Sequence, residues 1–528
     1  MTDPKSVTPR QLRALIQDGA ELALLDVREA GEFGESHLLF ATPLPYSRLE
    51  LDIAPLVPRK SARIVLCDDG DSGVAARAAK RLEAIGYSDL AVLEGGTRGW
   101  AAAGHTLFAG VNVPSKLFGE LVEHEYGTPR VTVTDLARMK EAQEDFVIVD
   151  GRPYTEYHKM NIPGGICCPN AELPYRIREI VSNPKTKIIV NCAGRTRSIM
   201  GAQTLINFGI ENPVYALENG TQGWVLADFE LERGATRRYP DRVSEGELPR
   251  LLSHATALMK RHGVTTVGAA DVRTWLADPR RTTYLLDVRT PEEYAAGSLP
   301  GAVHAPGGQL VQATDQWVGI RNARIVLVDS EGVRAPVVAS WLKQLGCEVY
   351  VLEGGIRADL SAAAPAQPAL PVLPLVSAGD VKRMLEAGAA AVFELRESMQ
   401  FRKAHIRGSR WSIRSRLASD AAGANSAIVL VADDPSLARA AAIDLAEAGF
   451  KDVKVLDGGY AAWTAAGYAT ETSPQVPPDS DCIDYLFFVH DRHAGNREAM
   501  KQYLAWETGL IAQLDAEDRK LFRVGLAG

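Results

Sequence analysis

Short, unbroken apolar runs punctuate this chain. LALLDV, RIVLC and DLAVLE come first, FVIVD, KIIVN and VYALE follow, and longer segments such as AARAAKRLEAIG and SIMGAQTLINFG separate them. The runs lack polar–apolar alternation, so each predicts a strand covered on both faces, while the separating segments have helical spacing. Gly86, Gly209, Gly346 and Gly449 close helical segments and suit C-terminal caps. The alternation predicts an α/β fold of small parallel sheets with helices on both faces.

Two phrases recur four times. An apolar run ending in an acid and an arginine appears as LALLDVREAGEF, VIVDGRPYTEY, YLLDVRTPEEY and AVFELRESMQF. A second run ending in a glycine turn appears as AVLEGGTRGW, YALENGTQGW, YVLEGGIRAD and KVLDGGYAAW. Asp26 and Asp150, Glu94 and Glu218, Gly96 and Gly220, and Trp100 and Trp224 are each 124 positions apart. Solenoid repeats run about 20–50 residues, so these are tandem whole domains. The expected layout is domain 1 at 1–107, a connector at 108–128, domain 2 at 129–234, and a linker at 235–262. Domain 3 follows at 263–364, domain 4 at 365–473, and a C-terminal helical extension at 474–528. In that tail Leu504, Leu510, Ile511 and Leu514 carry a helical apolar spacing. His490 and His493 flank Asp491 there without a matching ligand partner, so a helix-entry loop is expected rather than a metal site.

Composition narrows the function. In 528 residues, 46% are hydrophobic and 23% charged, values that suit domains with proper cores. Acidic residues outnumber basic ones by 66 to 58, which argues against nucleic acid as a partner. The N-terminus lacks the basic and apolar regions of a signal peptide, and no apolar stretch approaches the roughly 18 residues of a membrane span. A cytoplasmic protein is expected. Six cysteines, Cys67, Cys167, Cys168, Cys192, Cys347 and Cys482, form no CxxC pair and no disulfide framework. A cysteine that matters here acts as a thiolate.

Ligands of open α/β sheets bind at the carboxyl ends of strands. After the middle strand of domain 2 comes Cys192-Ala193-Gly194-Arg195-Thr196-Arg197-Ser198, leading into a helix. The helix terminus and two arginines favour thiolate over thiol at Cys192, making it nucleophilic. Gly194 allows the loop amides to turn inward as a nest, and Arg195 and Arg197 are expected to bind an anion there. Two arginines in so short a loop also predict that it is not wholly buried.

Spacing decides between the cysteines. Asp150 to Cys192 is 42 positions, and the same step from Asp26 lands on Asp68, one past Cys67. In domain 3 that step from Asp287 reaches Asp329, and in domain 4 Ala432 is nearest. Cys67 is therefore expected to be structural, beside an acidic loop. Cys167, Cys168 and Cys347 are expected in cores.

These residues resemble the rhodanese family of sulfurtransferases. The acid–x–arginine phrase with its following Pro-Gly (residues 163–164 and 300–301) is similar to the family's N-terminal signature, the glycine phrase to its C-terminal one, and Cys192 to Ser198 to its active-site loop. The resemblance implies four tandem rhodanese-like domains, only the second with an intact loop. It implies a thiosulfate sulfurtransferase that works by ping-pong through a Cys192 persulfide, without cofactor or metal, with Ala193, Gly194, Arg195, Thr196, Arg197 and Ser198 binding the donor. By position Asp150, Arg152 and Glu218 are expected to support the loop. Four residues separate Cys192 from Arg197, one fewer than in the related cell-cycle phosphatases, which favours transfer of a single sulfur atom. Mercaptopyruvate-using relatives carry Gly-Ser-Gly-Val-Thr after the cysteine, so thiosulfate is the expected donor, with cyanide or a thiol as acceptor.

The alternative is a persulfide carrier or sulfur-relay scaffold that delivers sulfur to a protein partner. Residues 110–129, with Lys116, His124 and Glu125, are a candidate lid for the loop. The three inactive domains are expected to bury surface against domain 2 or a second chain, as in a homodimer.

Overall fold

The computed structural model describes residues 4–424 and 426–525. Within them four five-stranded sheets share one strand order. In module 2 the strands are β1 (Arg130–Val131), β2 (Phe146–Asp150), β3 (Ile166–Cys167), β4 (Lys187–Asn191) and β5 (Val214–Leu217), arranged β1-β5-β4-β2-β3 with every pairing parallel. Ile188, Ile189 and Val190 of the central β4 are fully buried, as an unbroken apolar run covered on both faces requires. The register sets Ile189 against Ile148 on one side and Tyr215 on the other. Ile148, Ile189 and Leu217 pack with Leu136, Met139 and Trp224 to form a core beneath the site.

The modules form two compact units, and sequence neighbours are not always unit neighbours. One unit holds modules 1 and 4 (residues up to Ile16, Leu24–Gly110 and Ala366–Phe487). Within it Tyr46 donates to Asp444 at 2.9 Å, and Arg414 of module 4 donates to Asp444 at 2.7 Å and to Glu50 at 2.9 Å. The other holds modules 2 and 3 with most of the connector and most of the C-terminal extension (Gln17–Ala23, Val111–Pro365 and from Phe488 on).

Five helices of this second unit position the site: α1 (Val113–Tyr126), α2 (Thr196–Phe208), α3 (Leu248–Arg261), α4 (Arg334–Gln344) and α5 (Arg497–Thr508). α1 makes up most of the connector, and α3 forms within the stretch read from sequence as a linker. Phe208 of α2, Leu251 and Leu258 of α3, and Val333 and Val337 around the start of α4 make one cluster joining modules 2 and 3. Each such buried side chain contributes about 1.5–3 kcal/mol, enough to fix α2 between the modules. Trp341 Nε1 donates to Thr204 Oγ1 at 2.8 Å across the same seam. Module 3 thus packs against module 2 along this seam.

The tail departs from its expected apolar stripe. α5 ends at Thr508, and its inward face is Met500, Tyr503 and Glu507, continued by Leu510, while Leu504, Ile511 and Leu514 are only half-buried. Asp491–Ala494 forms a short turn before α5, and the side chain of His493 lies outside the described residues. No described helix is long and apolar enough to cross a membrane.

Candidate active site

β4 ends at Asn191, so Cys192 is the first residue beyond the sheet, and Thr196 opens α2. The glycine turn after β5 clamps the loop from below. Thr221 N–H donates to Cys192 O at 2.9 Å, and a Cβ on Gly220 (φ +51°) would stand 2.2 Å from that oxygen, so only glycine fits. The same clamp identifies the equivalent residue in each module. Cβ atoms on Gly96, Gly355 and Gly459 would stand 2.3, 2.1 and 2.5 Å from the carbonyls of Asp68, Asp329 and Ala432. Cys67 is the last residue of its strand and aligns with Asn191, not with Cys192.

The loop is buried except at Arg197, whose side chain keeps 14% exposure, so its arginines are enclosed further than their charge alone suggests. Cys192 is 2% exposed, Ala193 5%, Arg195 7% and Thr196 3%. Burial is possible because both cations are matched by carboxylates from other segments. Arg195 Nε and Nη2 donate to Glu120 of α1 at 2.9 Å, and Nη2 also reaches Glu123 at 2.5 Å. Arg197 makes a bidentate pair with Glu156 at 2.7 and 2.8 Å. Burial alone would lower both guanidinium pKa values. The paired glutamates outweigh it and raise them, with Cys192 itself contributing at Arg197. Arg197 is thus within electrostatic reach of the sulfur, whereas Arg195 is committed to α1.

The other expected donor-binding residues mostly brace the loop. Ser198 Oγ donates to the Arg195 and Leu217 carbonyls at 2.8 and 3.1 Å. Ala193 O accepts from Gln222 N–H at 3.1 Å and Nε2 at 2.9 Å. Thr196 Oγ1 donates to Glu507 Oε1 of α5 at 2.5 Å.

Asp150 and Arg152 lie one layer below the loop, beside the end of the strand that leads into it. Arg152 holds the Asp150 carboxylate at 2.7 and 2.8 Å, and Asn191 Nδ2 donates to Asp150 Oδ2 at 2.9 Å, fixing the end of β4. The same pair occurs as Asp26–Arg28, Asp287–Arg289 and Glu394–Arg396, so it serves the fold of every module. Glu218 does not touch the loop with its carboxylate. It lies 3.7 Å from Arg130, which lies 3.5 Å from Glu123, so it joins Arg195 only through a chain of charges.

Burial raises the thiol pKa at the five cysteines outside the loop. Cys67, where Asp26 adds to the effect, and Cys168 go well above the usual range, Cys167 to about 12 and Cys347 to about 11, and Cys482 also rises. These five are held as thiols.

The segment proposed as a lid meets the loop through Glu120 and Glu123 of α1. Lys116 of α1 is buried and donates to Glu507 Oε1 at 3.2 Å, while Glu125 pairs with Arg519. Glu120, Glu123 and Glu507 were not singled out from the sequence. For Glu507 a signal existed, an acid in the 3-4-3 spacing Met500–Tyr503–Glu507–Leu510.

Comparison with known proteins gives one consistent answer. The family model described as "Rhodanese-like domain" matches residues 8–103, 132–227, 269–362 and 377–466. The chain is similar to a crystal structure of thiosulfate sulfurtransferase from Pseudomonas aeruginosa at 43% identity and a TM-score of 0.91, covering 99% of this chain and all of that one. Among curated proteins, 111 residues are 32% identical to the HTH-type transcriptional regulator Rv0324 and 98 residues are 34% identical to the probable adenylyltransferase/sulfurtransferase MoeZ, both of Mycobacterium tuberculosis. These matches cover 21% and 18% of the chain and 48% and 24% of the relatives, so it spans half or less of their length.

Proposed function

The chain belongs to the rhodanese family, and from that premise we propose that it moves sulfane sulfur from thiosulfate to a thiophilic acceptor through a persulfide on Cys192. Sulfur transfer is the general activity this fold supports, and the similar Pseudomonas aeruginosa protein is a thiosulfate sulfurtransferase. One observation carries the assignment to module 2: a sulfur stands at the position where modules 1 and 3 place a carboxylate that satisfies its own loop.

In the first half-reaction the Cys192 thiolate attacks the outer sulfur of thiosulfate. A sulfur–sulfur bond forms to Cys192, the donor's own sulfur–sulfur bond breaks, and its electron pair leaves with sulfite. The loop amides and the N-terminus of α2 stabilise the persulfide anion, and Arg197 contributes full positive charge. In the second half-reaction cyanide or a thiolate attacks the outer persulfide sulfur, takes it, and returns Cys192 to the thiolate. Burial of the loop shields the persulfide from water and stray thiols between the halves.

The test is thiocyanate formation from thiosulfate and cyanide. Sustained turnover that Cys192→Ser abolishes and Cys67→Ser leaves intact supports the reading. Persulfide loading in a single turnover without sustained transfer favours the carrier instead. Loss of activity in Cys67→Ser alone would assign the chemistry to module 1.

A further inference from the structure

Three side chains around α2 remain unused by this mechanism: the buried cation Lys116, the carboxylate of Glu507, and the hydroxyl of Thr196. They meet at one point. Glu507 Oε1 accepts from Thr196 Oγ1 at 2.5 Å, from Thr196 N–H at 3.4 Å and from Lys116 Nζ at 3.2 Å. Glu507 is 0% exposed, Lys116 6% and Thr196 3%. A carboxylate therefore occupies the N-terminal mouth of a 13-residue helix, where an anion gains from the macrodipole and from unpaired amides.

The carboxylate fits that place only in part. Its second oxygen, Oε2, is buried with no hydrogen-bond partner among the described residues. That oxygen faces the loop: a Cβ on Gly194 would stand 3.1 Å from it. The donors at this point converge on a single oxygen, whereas a sulfonyl or sulfite group would offer three. A buried acceptor without a partner forfeits its hydration without compensation, so the resident anion is held less well than its surroundings allow.

Modules 1 and 3 show what usually fills such a loop. There Asp68 and Asp329, on the loop itself, turn their carboxylates onto its amides. Module 2 has a cysteine in that position, and its carboxylate comes instead from α5, 315 positions along the chain. Lys116 and Glu507 also lie outside all four stretches that match the family model.

We infer that Lys116 and Thr196 form an oxyanion seat at the mouth of α2, kept filled at rest by Glu507, which the sulfonyl end of the donor displaces on entry. The seat holds the sulfite portion while Cys192 takes the outer sulfur, and Glu507 returns as sulfite leaves. The inference rests on the reading above for the identity of the donor, but the seat itself is testable without turnover. Arg195 is excluded from this role by its clamp with Glu120 and Glu123, which leaves Lys116 as the cation that supplies charge from α1.

The test is sulfite binding to the full chain carrying Cys192→Ser, measured by titration calorimetry. Adding Glu507→Gln keeps the side chain's shape and removes the competing charge, so sulfite should bind about tenfold tighter. Glu507→Asp withdraws the carboxylate by one methylene and should tighten binding by a smaller factor, which guards against misfolding of the first variant. Lys116→Met added to Glu507→Gln should cancel the gain. Unchanged or weaker sulfite binding in both Glu507 variants, or a gain that survives Lys116→Met, would overturn the seat. Thiocyanate turnover of the Cys192 protein is scored separately, so failure of the sulfurtransferase reading and failure of the seat are distinguishable.

Discussion

Modules 2 and 3 share a strand order, a glycine clamp and an arginine at the same loop position, yet their loops do opposite things with one nest of amides. In module 3 Asp329 fills the nest itself, accepting from Gly332 N–H and Ala335 N–H at 2.9 Å each. Asp68 does the same in module 1, accepting from Gly70 N–H at 2.8 Å and Ala75 N–H at 3.0 Å. A carboxylate there satisfies the loop and ends its chemistry, because no group remains that can attack a sulfur. Cys192 leaves the amides unanswered by its own side chain and, in the proposed reaction, is the nucleophile. The fold thus provides an anion-binding geometry in modules 1 and 3, and on the proposed reading one side chain separates that structural use from a reactive one in module 2.

The sharpest way to break this comparison is to make module 2 resemble module 3. Cys192→Asp should lower sulfur transfer by at least about a thousandfold. It should nevertheless fold and melt at or above the wild-type temperature, because the new carboxylate meets the loop amides as Asp329 does. A folded variant with substantial turnover would remove Cys192 from the reaction. A variant that fails to fold would show that the module 2 loop is not the same nest.

The arginines extend the contrast. Arg334, at the position of Arg197, is 0% exposed and binds Glu331 at 2.7 Å, Glu293 at 3.0 Å and Glu172 of module 2 at 3.0 Å. Its hydrogen bonds and charge overcome burial and lower the Glu293 pKa to about 2. Arg334→Met leaves these carboxylates facing one another, and a loss of roughly 3–5 kcal/mol is expected in denaturant unfolding. Activity per folded molecule should change little. Arg197→Met should do the reverse, raising the thiosulfate KM by about tenfold or more with a smaller loss of stability, since Glu156 is only half-buried. Equal effects of the two substitutions on activity would erase the distinction between them.

Which of these features the sequence reveals follows from how local each one is. The four sheets were legible because strands buried on both faces must be unbroken apolar runs, and the glycine turns recur at fixed offsets from them. The same spacing separated Cys192 from Cys67, since one residue past a strand end is a different environment from the end itself. A covering segment at 110–129 was legible, but the carboxylates that enclose the arginines were not. Two arginines within the loop argued for exposure only while their partners were unknown, and Glu120, Glu123 and Glu156 lie in segments that meet the loop only after folding. Glu507 was harder still, because its helix was read by its leucines, and Leu504 is half-buried while the acid is enclosed. The pairing of module 1 with 4 and of module 2 with 3 also depends on side-chain partnerships across long separations, such as Tyr46 with Asp444, that no local pattern encodes.

The smallest expected effect concerns the self-filled nest itself. Burial, reinforced by Glu331, raises the Asp329 pKa to about 7, even though the loop amides and Arg334 pull it down. Folded Asp329 therefore holds its proton more tightly than the unfolded chain does, and between about pH 4 and pH 7 the native state binds more protons. Stability contributed by this group falls as pH rises through that window and is fully lost above it. Glu331 is held below its usual pKa, with Arg334 outweighing burial. Asp329→Asn has no such proton to bind. Whatever constant offset the amide introduces through its altered hydrogen bonds, the unfolding free energy of wild type relative to Asp329→Asn should fall by on the order of 2–3 kcal/mol between pH 5 and pH 8. Urea unfolding of the full chain at the two pH values measures this difference. An offset independent of pH would mean that the amides, rather than burial, govern Asp329, and that a carboxylate sits in this nest fully ionised.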